Sequence, residues 1–149
     1  MMYMHHTVSS QAEAACVCGS LRKASRAVTR IYDEIMEDTG MTIMQFSILS
    51  TIARNGEMPL MRLAKALVME RTTLYRALTP IERRGWVDFS DGEGRAKTVS
   101  LTEQGRAALE QAGPAWRLAQ KNLLDAIGIG NWRALEDGLA RLVTLTRKA

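Results

Sequence analysis

Residues 59–101 read PLMRLAKALVMERTTLYRALTPIERRGWVDFSDGEGRAKTVSL, and the fold turns on how this stretch is parsed. Leu60, Leu63, Ala64 and Leu67 recur at helical spacing and predict a short helix over 60–67. A turn through Val68-Met69 leads into a second helix over about 70–84, with Leu74, Leu78 and Ile81 inward and Gly85 as its stop. Pro80 removes an amide donor inside that helix, so a bend or a loosened final turn is expected there. Trp86–Phe89 and Lys97–Leu101 alternate as short strands around the turn residues Asp91-Gly92-Glu93-Gly94. Two helices joined by a tight turn and followed by a basic hairpin make a shape that fits duplex DNA.

Upstream, Thr42 is placed to cap a helix running to about Arg54, with Gln45 at the capping-box position and Phe46, Leu49, Ile52 and Ala53 inward. Asn55-Gly56 stops it. Before it, Leu21, Ala24, Val28, Ile31 and Ile35 predict a first helix over about 11–37, broken at Thr39-Gly40. Downstream, Thr102 caps a long helix to about Ile127, with a stripe of Leu109, Ala112, Trp116, Ala119, Leu123 and Ile127 and an expected bend at Gly113-Pro114. Gly128-Ile129-Gly130 reads as a hinge before a last helix over about 132–147, carrying Leu135, Leu139, Leu142, Val143 and Leu145. The expected fold class is mainly α with a small β-hairpin wing. A winged helix-turn-helix at 42–101 is flanked by N- and C-terminal dimerisation helices at 11–37 and 102–149. Together these form one domain, 11–149, after a flexible N-terminus at 1–10. The first and last helices hold more apolar stripe than the central unit needs, which predicts a two-fold homodimer.

The 149 residues, 46% of them apolar, can build a core. No run of 18 uncharged apolar residues occurs, and the start, MMYMHHTVSSQAEAA, lacks the basic-then-hydrophobic order of a secretory signal. A cytoplasmic location with no membrane partner is the expectation. Formal charge is +4, and residues 54–97 carry 9 basic and 6 acidic groups, the largest basic surplus per residue in the chain. That bias favours a polyanion partner, and the helix-turn-helix with its basic hairpin makes double-stranded DNA the expected one.

With Leu74, Leu78 and Ile81 inward, Arg71, Thr72, Thr73, Tyr75, Arg76 and Thr79 are the expected major-groove set. Arg95, on a Gly-flexed hairpin tip, is the expected minor-groove residue. Arg62, Lys65, Arg83, Arg84 and Lys97 are phosphate candidates, setting position rather than reading sequence.

These residues carry a resemblance. MERTTLYRALTPIERRGWV (69–87), GRAKTVSLTEQGR (94–106), TIMQFSILSTIARNG (42–56) and CVCGSLRKASRAVTRIYDEIM (16–36) resemble the MarR family of bacterial winged-helix regulators, over about residues 15–147. The resemblance implies a triangular homodimer on pseudo-palindromic operators, usually a repressor released by a small molecule or by oxidation. It sets Thr72, Thr73, Tyr75 and Arg76 in the major groove and Arg95 in the minor groove. One departure stands out: the family's wing reads Asp-x-Arg-Asp-x-Arg, and residues 88–95 here, DFSDGEGR, keep only the final Arg and add Glu93. Weaker wing anchoring is expected.

In such a fold, effector space is expected where the dimer helices meet the winged unit. Its candidate residues are Arg22, Arg26, Arg30, Tyr32, Met36, Met44, Phe46 and Trp116, with Met41 and Met61 as further wall candidates. Aromatic and methionine walls suit a flat aromatic or lipophilic ligand, and an arginine suits its carboxylate. Cys16 and Cys18 are two apart, so on a helix they diverge by about 200° and should not bridge each other. They leave open a thiol-based redox-sensing regulator, and a winged-helix protein-interaction module without DNA binding is the other alternative. No cofactor or metal is expected: His5 and His6 are the only histidines, and no G-x-G-x-x-G, P-loop or H-E-x-x-H occurs, so an enzyme is not expected.

Overall fold

The computed structural model describes residues 15–146 apart from 93 and 95. Helix α1 (Val17–Met36) runs into a short 3-10 turn (Glu37–Thr39), followed by α2 (Ile43–Asn55), β1 (Met58–Pro59), α3 (Leu60–Leu67) and α4 (Arg71–Arg83). Strands β2 (Val87–Asp91) and β3 (Lys97–Leu101) follow, then α5 (Glu103–Ile127) and α6 (Ile129–Leu145). The architecture is the expected one, a mainly helical fold with an antiparallel hairpin wing flanked by N- and C-terminal helices. The expected flexible segment 1–10, the expected helix start at Gln11, and Arg147 lie outside the described residues.

Local chemistry sets the helix starts. Thr42 accepts from the Gln45 amide while the Gln45 side chain accepts from the Thr42 amide, a complete capping box of the kind that contributes about 1 kcal/mol. Asp33 of α1 accepts from the Ile43 amide at 2.7 Å and so fastens α1 to the start of α2. The Thr102 hydroxyl does two jobs, accepting from the Gly105 amide at 3.0 Å and donating to the Gly85 carbonyl at 2.6 Å. It thereby ties the start of α5 to the end of α4. Gly105 makes that approach possible, since a Cβ there would lie 2.0 Å from the Trp86 carbonyl oxygen.

Helix α4 continues through Pro80, and its last turn loosens into mixed bonding. Arg84 N–H reaches the Pro80 carbonyl at 3.2 Å, Gly85 the Glu82 carbonyl and Trp86 the Ile81 carbonyl. Gly85, at φ 73°, closes this reversal into β2. The wing holds one strand more than the pattern predicts. In the order β1-β3-β2, Met58 pairs with Val99 and Pro59 with Thr98. A two-residue strand with a proline offers no alternation to read.

The core lies inside the winged unit. Met41, Ile48, Leu49, Ile52, Leu60, Leu63, Leu74, Leu78, Ile81, Trp86, Val87 and Val99 are buried together, with Ala112 of α5 against them. Helix α1 contributes only Met36 in full, and α6 buries no residue. Among the described residues no helix is long and apolar enough to cross a membrane.

Candidate nucleic-acid interface and the adjoining cavity

Helix α4 separates its faces as its period requires: Leu74, Leu78 and Ile81 are buried, while Arg71, Thr72, Thr73, Arg76 and Thr79 are exposed. Tyr75 is half-buried against the core and lies under Arg71, whose Cζ is 5.5 Å from the ring centroid. The Thr79 hydroxyl is turned back onto the helix, donating to the Tyr75 carbonyl at 3.0 Å. At the helix start Glu70 makes no side-chain cap, so no side chain claims the first-turn amides. Those amides and the dipole make a place for an anion. Lys97, at the start of β3, lines a depression of about 470 Å³ with Arg71, Tyr75 and Met61, so wing and α4 share one face.

Among the described residues the only ion pair is Lys121–Asp125 on α5. The exposed cations Arg62, Lys65, Arg71, Arg76, Arg83 and Lys97 therefore carry no carboxylate partner among the described residues. Arg84 is differently placed. Its guanidinium lies 4.3 Å from the Trp86 ring centroid and donates to the Gly40 carbonyl at 3.1 Å, bracing the end of α4 against the turn before α2. Arg95 and Glu93 lie outside the described residues.

Toward the tip end of the β2–β3 ladder is a cluster the sequence did not reveal. The Ser90 and Thr98 hydroxyls each lie 2.7 Å from Glu57 Oε1 and 2.6 Å from each other. Ser90 first, then Thr98, hold the Glu57 carboxyl below the usual carboxylate range.

A cavity of about 740 Å³ opens between α2 and α5, and it gathers Tyr32, Phe46 and Trp116 from the expected effector set. Phe46 and Trp116 stack with centroids 5.4 Å apart and planes 13° from parallel. Tyr32 donates to Gln120 Oε1, and burial pushes its phenol up from the ordinary value. The remaining expectations do not converge here. Met36 is fully buried in the core and Met41 nearly so, whereas Met44 and Met61 are exposed away from this cavity. Arg26 and Arg30 line a shallow depression with Asp33, Glu34 and Glu37, and Arg22 lines neither space. The cations at the cavity are Arg54 and Arg117, with Glu110 beside them. Helical spacing from Phe46 to Ser50 and Arg54, and from Glu110 to Gly113 and Arg117, was the signal that could have found them.

Tyr32 also walls a second, apolar groove of about 440 Å³ between α1, α5 and α6, lined by Leu21, Val28, Leu123, Leu135 and Leu139 among others. Cys16 and Cys18 are free and exposed, and Cys16 Sγ accepts from the Gly19 amide at 3.4 Å as the cap of α1. No bridge joins them, as their spacing requires, and the geometry gives the redox-pair reading no support.

Fold and exposed basic face together define a winged helix-turn-helix protein. The MarR family's sequence profile matches residues 41–97. A helix-turn-helix transcriptional regulator of Bacillus cereus is 31% identical over 98 residues, which is 66% of this chain and 66% of that protein. PecS of Dickeya dadantii is 26% identical over 104 residues, 66% of this chain and 63% of PecS. The chain thus spans about two thirds of the length of the curated relatives it matches. The M. tuberculosis transcriptional regulator MosR, solved in complex with DNA, is 33% identical with a TM-score of 0.81, over 90% of this chain and 98% of MosR. The chain belongs to the MarR family of winged-helix transcriptional regulators.

Proposed function

We propose that the chain is a homodimeric, sequence-specific DNA-binding regulator, a repressor whose grip on its operator is relieved by a small aromatic or lipophilic ligand. The observation that carries this reading is the exposed cations of α3, α4 and β3, none of them ion-paired among the described residues, on elements whose other faces pack the core. Its likeness to MosR, solved in complex with DNA, supports a DNA-binding reading. Arg76 and Thr72, Thr73 and Arg71 enter the major groove, Arg95 the minor groove, and Arg62, Lys65, Arg83 and Lys97 meet phosphate. Tyr75 packs at the rim of the groove, and Thr79 lies on the same helix face.

Homodimerisation is the reading that covers the apolar groove of α1, α5 and α6, where Leu21, Val28 and Leu135 are otherwise wet. The ligand enters beside Phe46 and Trp116, and Arg54 or Arg117, rather than Arg22, Arg26 or Arg30, meets its carboxylate. Duplex DNA from upstream of the chain's own gene is the test, titrated by fluorescence anisotropy at several salt concentrations. Arg76→Ala should cost about 1–3 kcal/mol and relax preference at one base pair. Arg95→Ala should lower discrimination for A·T flanks. Affinity and preference unchanged in both variants would overturn these roles.

A further inference from the structure

We propose that Glu57 is the positioning residue of the wing, its carboxylate clasping Ser90 and Thr98 so as to fix the pitch at which the hairpin meets duplex DNA beside α4. The inference rests on the DNA-binding reading above and assigns a role to a residue outside the contact set.

Ser90 and Thr98 stand directly opposite each other in the β2–β3 ladder, one position away from the Phe89–Val99 pair. Val99 faces the core, so alternation puts the two hydroxyls on the outer face of the sheet. Glu57 comes from the link between α2 and β1, one residue before the Met58–Val99 pair, and reaches across that face. One carboxylate oxygen therefore gathers groups from both strands of the hairpin and from the edge that joins it to the helix-turn-helix. Each hydroxyl has a single proton, and with the two oxygens 2.6 Å apart either can donate a hydrogen bond to the other. When one hydroxyl donates to the other, the second remains placed to donate to the carboxylate.

The backbone alone holds this edge weakly. Strand β1 pairs through Met58 and Pro59 only, and Pro59 has no N–H to give to the ladder. A side-chain clasp supplies the restraint that two residues of strand cannot. Electrostatics works in the opposite direction, because an exposed carboxylate without an ion-pair partner among the described residues repels phosphate. The two effects of removing Glu57 thus differ in sign, and this separates them.

Glu57→Ala and Glu57→Gln both delete the charge, but Gln keeps an oxygen that accepts from a hydroxyl. Both would be titrated against the duplex from upstream of the gene, and amide hydrogen exchange would be followed along the chain. Glu57→Ala is expected to weaken binding about five- to tenfold, the size of one or two lost hydrogen bonds, while Glu57→Gln stays within about twofold of the parent. Exchange should quicken in residues 87–101 of the Ala variant and be unchanged in α2 and α5. Combined with Lys97→Ala, the Ala substitution should cost less than it does alone, because the displaced hairpin already places Lys97 poorly. Tighter binding by both variants, or wing exchange that does not change, overturns the positioning role and leaves the regulator reading standing. A parent chain that binds no duplex overturns that reading itself.

Discussion

Between Met41 and Val99 the chain packs Leu49, Leu63, Leu74, Leu78, Ile81 and Val99 to near-complete burial, whereas the seventeen residues of α6 bury none of their side chains. Both regions are comparably apolar in sequence, so composition does not account for the contrast. The winged unit finds its partners within one chain: α2, α3, α4, the sheet and the first half of α5 close on each other. Helix α6 has α5 to lean on and little else, α1 meets the core only at its end through Asp33 and Met36, and Leu21, Val28, Ile31, Leu135, Leu142 and Val143 stay in water. A closed unit and an open pair of helices in one chain is what a regulator needs if its reading head is rigid and its other half is shared with a second copy.

The closed unit should tolerate least, and its tightest point is Gly105. A methyl group there meets the Trp86 carbonyl oxygen at 2.0 Å, a backbone atom with no room to yield. Gly105→Ala should therefore part α5 from the end of α4 and break the Thr102 hydroxyl bridge, at a cost of about 3 kcal/mol or more. Chemical denaturation, or loss of soluble protein, would show it. Stability within about 0.5 kcal/mol of the parent would mean that the junction is looser than its geometry and that the contrast between the regions is overstated.

The open pair should respond in the opposite way. Leu135 is 47% exposed and lines the groove between α1, α5 and α6. Leu135→Glu should leave exchange protection in residues 41–101 intact while reducing the protein to a monomer in sedimentation. Affinity for a duplex with two half-sites should fall about 100-fold or more, and affinity for one half-site should hardly change. A variant that stays dimeric would move the interface elsewhere. One that unfolds throughout would show that the winged unit depends on its partner copy and is not closed by itself.

What the sequence made readable follows the same division. Periodicity found the helices from α2 onward to within a few residues and the end of α1, and the Thr42–Gln45 and Thr102 caps were visible because their partners are three residues away. The inward set of α4, and with it the exposed set, followed from a single register. Features built across the sequence were hidden. Glu57 meets Ser90 and Thr98 at separations of 33 and 41 residues, and Arg84 reaches Gly40 across 44. The first helix's stripe through Ile35 was read correctly as apolar, yet its fully buried residue is Met36, because only the end of α1 meets the core. The cavity's arginines were sought on α1, and they come from α2 and α5, since which helices flank a space is decided by packing rather than by any one helix's pattern.

The smallest expected effect lies in the turn between α3 and α4. Val68 sits there at φ 53° and ψ 44°, left-handed backbone that a β-branched residue seldom adopts, at a cost of about 1–2 kcal/mol. Its side chain is 54% exposed, so little packing offsets the strain. Glycine removes the strain but adds about 0.5–1 kcal/mol of unfolded-chain entropy. Val68→Gly should therefore stabilise the protein by up to about 1 kcal/mol, or about 2–4 °C in Tm, read by calorimetry. A loss of stability would be equally informative. Val68 shares a surface depression with Met69, Glu70 and Thr146, the residue just past the end of α6. If glycine destabilises, the isopropyl group is holding that end of α6 against the helix-turn-helix, and the open pair of helices is less open at its tip than along its length.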